Sequence, residues 1–205
     1  MSIASQPTQT ESRKQKTGLF FGSFNPIHIG HLIIANYMAS FSGLKEVWLM
    51  VSPHNPLKQK SGLANRYDRL EMAKLATEHS PQIKVSDIEF KLPQPSYTID
   101  TLAYLHEKYP EKEFVLIMGA DNLTSLQKWK NYELLLEKYQ IFVYPRPGID
   151  TTQWNNHPSI TFTETPEMEI SATFIRKALK EKKNIQFFLP DQVIEFIESK
   201  GLYKC

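Results

Sequence analysis

The chain has 205 residues, 41% of them hydrophobic, which is enough for a packed core and excludes a disordered polar chain. Its 24 basic and 22 acidic side chains nearly cancel to +2, so no global charge draws it to nucleic acid or membrane, and any anion site must be local. The single cysteine is the terminal Cys205, which leaves no intrachain disulfide or cysteine-based metal site and suits a reducing cytoplasm.

Residues 1–16, MSIASQPTQTESRKQK, are polar and aperiodic and read as a disordered tail without the apolar stretch of a signal peptide. Residues 17–205 then read as one domain, with a small helical part from about 165 to 205. No apolar run reaches the roughly 18 residues of a membrane span. Strands are expected at Gly18–Phe21, Val47–Val51, Ile83–Val85, Phe114–Met118, Ile141–Tyr144 and Ile160–Phe162. Helices are expected at Ile29–Phe41, Asn65–His79, Thr98–Lys108, Tyr132–Lys138, Ala172–Lys180 and Asp191–Ser199. In the second of these, Leu70, Met72, Ala73, Leu75 and Ala76 recur on one face. Strands alternating with helices predict an α/β fold, an open parallel sheet of Rossmann-like type covered on both faces. Two long loops, Ser52–Ala64 and Pro145–Ser159, have the length of lids or binding loops.

The stretch Gly18–Leu32, GLFFGSFNPIHIGHL, carries the first chemical signal. In an open parallel sheet, ligands sit beyond the carboxyl ends of the strands. There Gly22, with no Cβ, permits close approach, and Pro26 suits a helix entry. The following helix points free N–H groups and its positive dipole end at the same place. His28 and His31, three apart, share one face of the first turn, with Gly30 between them. Such histidines are either cap and core residues or a pair of donors at an anion site. No third ligand at helical spacing makes them a zinc site. Near the other end, EISATFIRKALK places Ser171 as an N-cap, Phe174, Ile175, Ala178 and Leu179 as an apolar stripe, and Thr173, Arg176 and Lys180 on the opposite face. That is either an ordinary amphipathic helix or a second phosphate grip.

The pattern G-x-F-x-P-x-H-x-G-H followed by I-S-x-T-x-x-R closely resembles the HxGH nucleotidyltransferase superfamily. More narrowly, the chain from about Thr17 to Tyr203 resembles bacterial nicotinate mononucleotide adenylyltransferases. Further landmarks are the Lys58 loop, PSYTIDTL at Pro95–Leu102, GAD at Gly119–Asp121, Trp129, RPG at Arg146–Gly148, TP at Thr165–Pro166, LP at Leu189–Pro190 and GLY at Gly201–Tyr203. The HxGH element alone is shared with cytidylyltransferases, pantetheine-phosphate adenylyltransferases and class I synthetases. A synthetase is excluded by the missing KMSKS-like string and by length. The remaining alternatives are another HxGH nucleotidyltransferase and a non-catalytic nucleotide-binding module. The chain departs from the family at Asn55-Pro56-Leu57-Lys58, where members often carry Pro-Pro-His-Lys. Leu57 replaces that histidine, and His54 lies three residues earlier.

The resemblance implies transfer of the adenylyl group of ATP to nicotinate mononucleotide, with release of pyrophosphate, in the biosynthesis of NAD. It assigns His28, His31, Lys58 and Arg176 to catalysis. It assigns Gly22, Ser23, Phe24, His28, His31, Gly119, Asp121, Ile170, Ser171, Thr173 and Arg176 to ATP. It assigns Asn25, Lys58, Tyr97, Thr98, Trp129 and Arg146 to nicotinate mononucleotide. Asp121 has two readings, an acceptor for ribose hydroxyls or the N-cap of a short helix; Trp129 is a stacking platform or a core aromatic; Tyr97-Thr98 reads a carboxylate through its backbone or simply caps a helix. The attacking phosphate is already anionic, so the implied task is alignment and neutralisation of the leaving pyrophosphate. A polyanion beside the two imidazoles favours their charged form. Mg²⁺ is expected to arrive with ATP, with no protein metal site. The expected partners are the two nucleotides, with no nucleic acid and no membrane. A homo-oligomer is compatible with the chain.

Overall fold

The computed structural model describes residues 14–53 and 62–204. Most of the residues read as a tail, and the segment carrying His54, Leu57 and Lys58, therefore lie outside the described residues. Among the described residues six strands form one sheet: β1 (Gln15–Gly22), β2 (Glu46–Val51), β3 (Ile83–Ser86), β4 (Lys112–Gly119), β5 (Gln140–Tyr144) and β6 (Ile160–Phe162). β1 begins at Gln15, so Gln15 and Lys16 belong to the sheet and not to the tail.

The strand order is β3-β2-β1-β4-β5-β6 and every pairing is parallel. Both neighbours of β1 are reached by crossovers that leave in opposite directions. The crevice between the carboxyl ends of β1 and β4 is therefore the topological switch point, where such sheets bind ligands.

Among the described residues seven helices cover the sheet: α1 (Ile29–Phe41), α2 (Arg66–Thr77), α3 (Thr98–Lys108), the single turn α4 (Ala120–Leu123), α5 (Tyr132–Lys138), α6 (Ala172–Lys180) and α7 (Asp191–Lys200). Alternate strand residues feed the two faces. On one face Phe20, Val47, Leu49, Val115 and Ile117 pack with Ile34 and Met38 of α1, Met72 of α2, Ile175 of α6 and Val193 and Ile197 of α7. On the other face Leu19, Trp48, Met50, Leu116 and Met118 pack with Leu102 and Leu105 of α3, Leu123 of α4 and Leu135 of α5. α6 and α7 thus bury their stripes in the same apolar cluster as α1 and α2. That brings the C-terminal helices to the edge where β1 ends.

The second long loop is more structured than its composition predicts. Thr152–Trp154 forms a 3-10 turn, and Trp154 is buried beneath it.

Candidate active site

A cavity of about 760 Å³ opens at the carboxyl ends of β1 and β4. That volume suits a ligand of nucleotide size. Its wall holds fourteen of the sequence-derived residues: Gly22, Ser23, Phe24, Asn25, His28, His31, Tyr97, Thr98, Gly119, Asp121, Trp129, Ser171, Thr173 and Arg176. Arg146 and Ile170 are not on that wall, and Lys58 lies outside the described residues.

The wall begins where β1 ends. Phe24 has φ +44°, a left-handed conformation uncommon for a bulky residue, and is fully buried. Its ring folds back over Gly22, where a Cβ would lie 2.8 Å from the phenyl. The missing side chain at Gly22 therefore makes room for the protein's own ring, not for the ligand. Phe24 in turn meets the His31 ring edge-on at 5.1 Å. A strained turn thus supports one of the two histidines. Pro26 lies in this turn ahead of the helix, whose N-cap is His28.

His28 and His31 do converge. Their ring centroids are 3.7 Å apart, with the planes 30° from parallel. The backbone N–H of His28 donates to Nδ1 of His31 at 3.2 Å. With Nδ1 accepting, Nε2 is the nitrogen left to donate from the His31 ring. His28 is buried, its Nδ1 has no hydrogen-bond partner among the described residues, and Gly30 leaves it space: a Cβ there would stand 3.1 Å from Nδ1. Burial, followed by the field of Arg146, lowers the His28 pKa to about 4. Without ligand His28 is therefore neutral, held so by desolvation first, whereas the expected charged form is the one a bound polyanion would favour.

The start of α6 faces this pair. Ser171 is the N-cap, its hydroxyl accepting from the N–H of Phe174 at 3.2 Å. Arg176 donates through Nη1 to the backbone oxygen of Asn25 at 2.8 Å and through Nη2 to Oγ1 of Thr173 at 3.3 Å. One guanidinium thus joins two segments 151 positions apart. Ile170, assigned by resemblance to ATP, packs its side chain against the core beside Gly30, 3.8 Å from where that residue's Cβ would be.

Asn25 is assigned to the acceptor, yet its side chain is a strut. Its Nδ2 donates to Gly62 O at 2.8 Å, and its Oδ1 accepts from Ala64 N at 3.1 Å and from the Tyr203 hydroxyl at 2.8 Å. Buried Arg69 completes the frame. It donates to the carbonyl oxygens of Ser23 (2.6 Å), Ser52 (2.8 Å), Pro53 (2.9 Å) and Ala64 (3.0 Å). One cation therefore ties the end of β1 to both ends of the long loop that follows β2. The sequence gives no sign of this, because an arginine on a helix ordinarily faces water.

At the β4 end, Gly119 is the N-cap of α4 and Asp121 is its second residue, so neither position makes Asp121 the cap. A Cβ at Gly119 would collide with the Asp121 carboxylate and stand 3.0 Å from the Tyr144 ring. Arg146, assigned to the acceptor, lies with this group: Nε is 3.6 Å from Asp121 Oδ1, Nη1 donates to Met168 O at 3.2 Å, and Nη2 donates to the Tyr144 hydroxyl at 3.4 Å. Its charge is also the second cause, after burial, of the lowered His28 pKa.

The opposite end is aromatic. Tyr97 is the N-cap of α3 and Thr98 its first residue, so the helix start opens on the cavity; Tyr97, not Thr98, holds the cap position. Trp129 closes a 3-10 turn, and its Nε1 is buried without a partner among the described residues. Lys130, unmarked in the sequence, sits 4.9 Å over the Tyr97 ring and pairs with Asp100 at 2.7 Å. Behind them, Glu89, Ser52 and Ser96 also line the cavity. Among the described residues no three His, Cys, Asp or Glu side chains gather as a metal site would require. No helix of the described residues is long and apolar enough to cross a membrane.

Residues 19–178 match the Cytidylyltransferase-like family. A protein of Flavobacterium psychrophilum named "Probable nicotinate-nucleotide adenylyltransferase" is 58% identical over 191 residues, 92% of this chain and 99% of that one. One of the same name from Bacteroides thetaiotaomicron is 48% identical over 187 residues, covering 91% of this chain and 93% of its own. The fold is matched by Plasmodium falciparum nicotinic acid mononucleotide adenylyltransferase complexed with NaAD, at a TM-score of 0.77 and 19% identity over 92% of this chain and 97% of that one. A parallel sheet with its switch-point cavity, two converging histidines and near-full-length identity of this degree lead to one assignment: the chain belongs to the nicotinate-nucleotide adenylyltransferase family of cytidylyltransferase-like nucleotidyltransferases.

Proposed function

We propose that the chain transfers the adenylyl group of ATP to nicotinate mononucleotide, forming nicotinate adenine dinucleotide and pyrophosphate. The observation that carries this reading is the two-ended cavity. One end gathers His28, His31, Ser171, Thr173 and Arg176, and the other gathers Tyr97, Thr98 and Trp129. Two nucleotides laid end to end would meet between them.

In the reaction, an oxygen of the mononucleotide's 5′-phosphate attacks the α-phosphorus of ATP. The bond from that phosphorus to the bridging oxygen breaks, and pyrophosphate leaves with the electron pair. The attacker is already an anion, so the protein must align it and neutralise charge on the leaving group. His31 donates to the departing phosphate through Nε2. His28 does the same from its buried position. Arg176, held by Asn25 and Thr173, supplies the fixed positive charge. The N-termini of α1 and α6 add backbone N–H groups. Lys58 completes the set from the loop whose base Arg69 clamps. Mg²⁺ would arrive on the phosphates of ATP, as that ion commonly does.

At the acceptor end, nicotinate stacks on Trp129 and directs its carboxylate to the backbone at Tyr97-Thr98. The absence of a disulfide framework in the sequence supports a reducing cytoplasm as the place of action. The test is pyrophosphate release with ATP and Mg²⁺, comparing nicotinate mononucleotide, nicotinamide mononucleotide and phosphopantetheine. Fast turnover with a pyridine mononucleotide is expected. Turnover with phosphopantetheine alone would give the other adenylyltransferase reading, and binding of ATP without product from any acceptor would give the non-catalytic module.

A further inference from the structure

We propose that Glu89 is a positioning and specificity residue of the acceptor end: its buried carboxyl ties the turn after β3 to α3 at the Tyr97-Thr98 helix start and sets the balance between a nicotinate and a nicotinamide ring. The proposal rests on the pyridine-mononucleotide reading above and deepens it.

Glu89 lies in the 3-10 turn Ile88–Phe90 that follows β3, is 3% exposed and lines the cavity. Oε1 accepts from the Thr101 hydroxyl of α3 at 3.0 Å. Its backbone oxygen accepts from Nε2 of Gln94 at 2.9 Å. Oε2 is buried and has no hydrogen-bond partner among the described residues. The carboxyl therefore links the turn after β3 to α3 through Thr101, whose hydroxyl also lies 3.3 Å from the Tyr97 carbonyl oxygen. A charged oxygen left without a donor in such a place is costly, whereas a protonated one is far less so.

The groups that act on it are few. Burial is the largest effect and raises its pKa; the nearby hydroxyls of Ser52, Thr101 and Ser96 pull the other way without offsetting it. No charged side chain contributes to that shift. The nearest ion pair on α3, Asp100 with Lys130, sits at the mouth and is internally neutralised at 2.7 Å. Glu89 is thus the one carboxyl group buried in the cavity wall among the described residues, and its charge acts on whatever binds above Thr98. An ionised Glu89 would repel the carboxylate of nicotinate and attract the amide N–H₂ of nicotinamide. A neutral Glu89 removes that bias against the acid.

The experiment measures kcat and KM for nicotinate and nicotinamide mononucleotides from pH 5.5 to 9.5, in the full chain and in Glu89→Gln and Glu89→Ala. The ratio of the two kcat/KM values cancels titration of the shared 5′-phosphate and of the histidines. The ionisation of Glu89 is followed in the same range by its side-chain carbon NMR signal, which needs no variant. The expected result is a nicotinate preference that falls about tenfold as Glu89 loses its proton, the equivalent of one pKa unit of coupling between the two charges. The fall should reside in KM and track the NMR titration. If Glu89 stays protonated across the range, a flat preference equal to that of Glu89→Gln is expected. Glu89→Gln should hold the low-pH preference at every pH. Glu89→Ala should raise KM for both acceptors and leave KM for ATP unchanged.

A Glu89 already ionised at pH 5.5, a preference that stays constant while Glu89 titrates, a Glu89→Gln enzyme whose preference falls with pH as the wild type's does, or a Glu89→Ala enzyme with wild-type KM for both acceptors would each overturn the proposal. Wild-type protein with no turnover on either pyridine mononucleotide would instead overturn the functional reading, which separates the two failures.

Discussion

The backbone N–H of His28 donates to Nδ1 of His31, and the two rings lie 3.7 Å apart. That contact leaves Nε2 of His31 to donate, and the edge of Phe24 at 5.1 Å holds the ring in place. His31→Ala should therefore fold, because the Phe24 turn stands on Gly22 and the core, and should lose on the order of 10²–10³ in kcat, as for one deleted transition-state donor. Steady-state kinetics beside a thermal melt check this; wild-type turnover in a folded variant removes the role.

His28 couples the site to acid stability. Its pKa falls from 6.5 to about 4 in the folded chain, through burial first and Arg146 second. The unfolded chain therefore binds a proton that the folded chain refuses between these values. Stability from this residue is complete above 6.5 and declines as pH falls toward 4, by on the order of 3 kcal/mol at the limit. Urea melts at pH 7 and pH 4.5 should show a smaller loss in His28→Asn than in wild type. An equal loss in both would show that His28 does not carry the linkage.

Arg176 should act on ATP and not on the acceptor. Its two contacts, to Asn25 O and Thr173 Oγ1, leave the guanidinium on the cavity wall beside the histidines. Arg176→Ala is expected to lower kcat/KM for ATP by roughly tenfold to a hundredfold, the worth of a charge-assisted hydrogen bond, with KM for nicotinate mononucleotide little changed. Initial rates with each substrate varied in turn separate the two effects. A change confined to the acceptor would place the charge at the wrong end.

Trp129 should show the converse split. Removal of a stacking platform in Trp129→Ala is expected to raise KM for nicotinate mononucleotide about tenfold while KM for ATP holds. Trp129→Phe, which keeps an aromatic face, should recover most of the loss. If Phe and Ala behave alike, the ring is a packing residue.

Much of the fold is legible in the sequence, for identifiable reasons. α1, α3, α5 and α6 coincide with the expected spans because apolar periodicity marks them and because Ser171 and the Gly-Ser-Phe-Asn-Pro turn punctuate their starts. α2 is shorter than expected: it starts at Arg66 behind an Asn65 cap and stops at Thr77, where the polar tail of the pattern gives no C-terminal signal. The short turn Ala120–Leu123 and the 3-10 segments escape periodicity, since three or four residues cannot display it.

The site divides in the same way. His28, His31, Ser171 and Arg176 carry chemistry at recognisable spacing, and the structure brings them to one wall. Phe24 could not be foreseen in a left-handed turn, because the reason lies in the gap over Gly22. Arg69 and Glu89 look like surface charges in sequence. They are buried because the carbonyls at the ends of β1 and β2, and the hydroxyls around α3, satisfy them only once the sheet is assembled. Arg146 follows the RPG motif but spends its donors on Met168 and Tyr144, a partnership set by tertiary packing alone.

The arrangement of His28, His31 and Arg176 around a single triphosphate is tested most directly by a crystal structure with a non-hydrolysable ATP analogue. The account predicts phosphate oxygens within hydrogen-bond reach of Nε2 of His31 and of the Arg176 guanidinium, with the α-phosphorus open toward Trp129. A triphosphate seated elsewhere, or beyond the reach of both side chains, would contradict it.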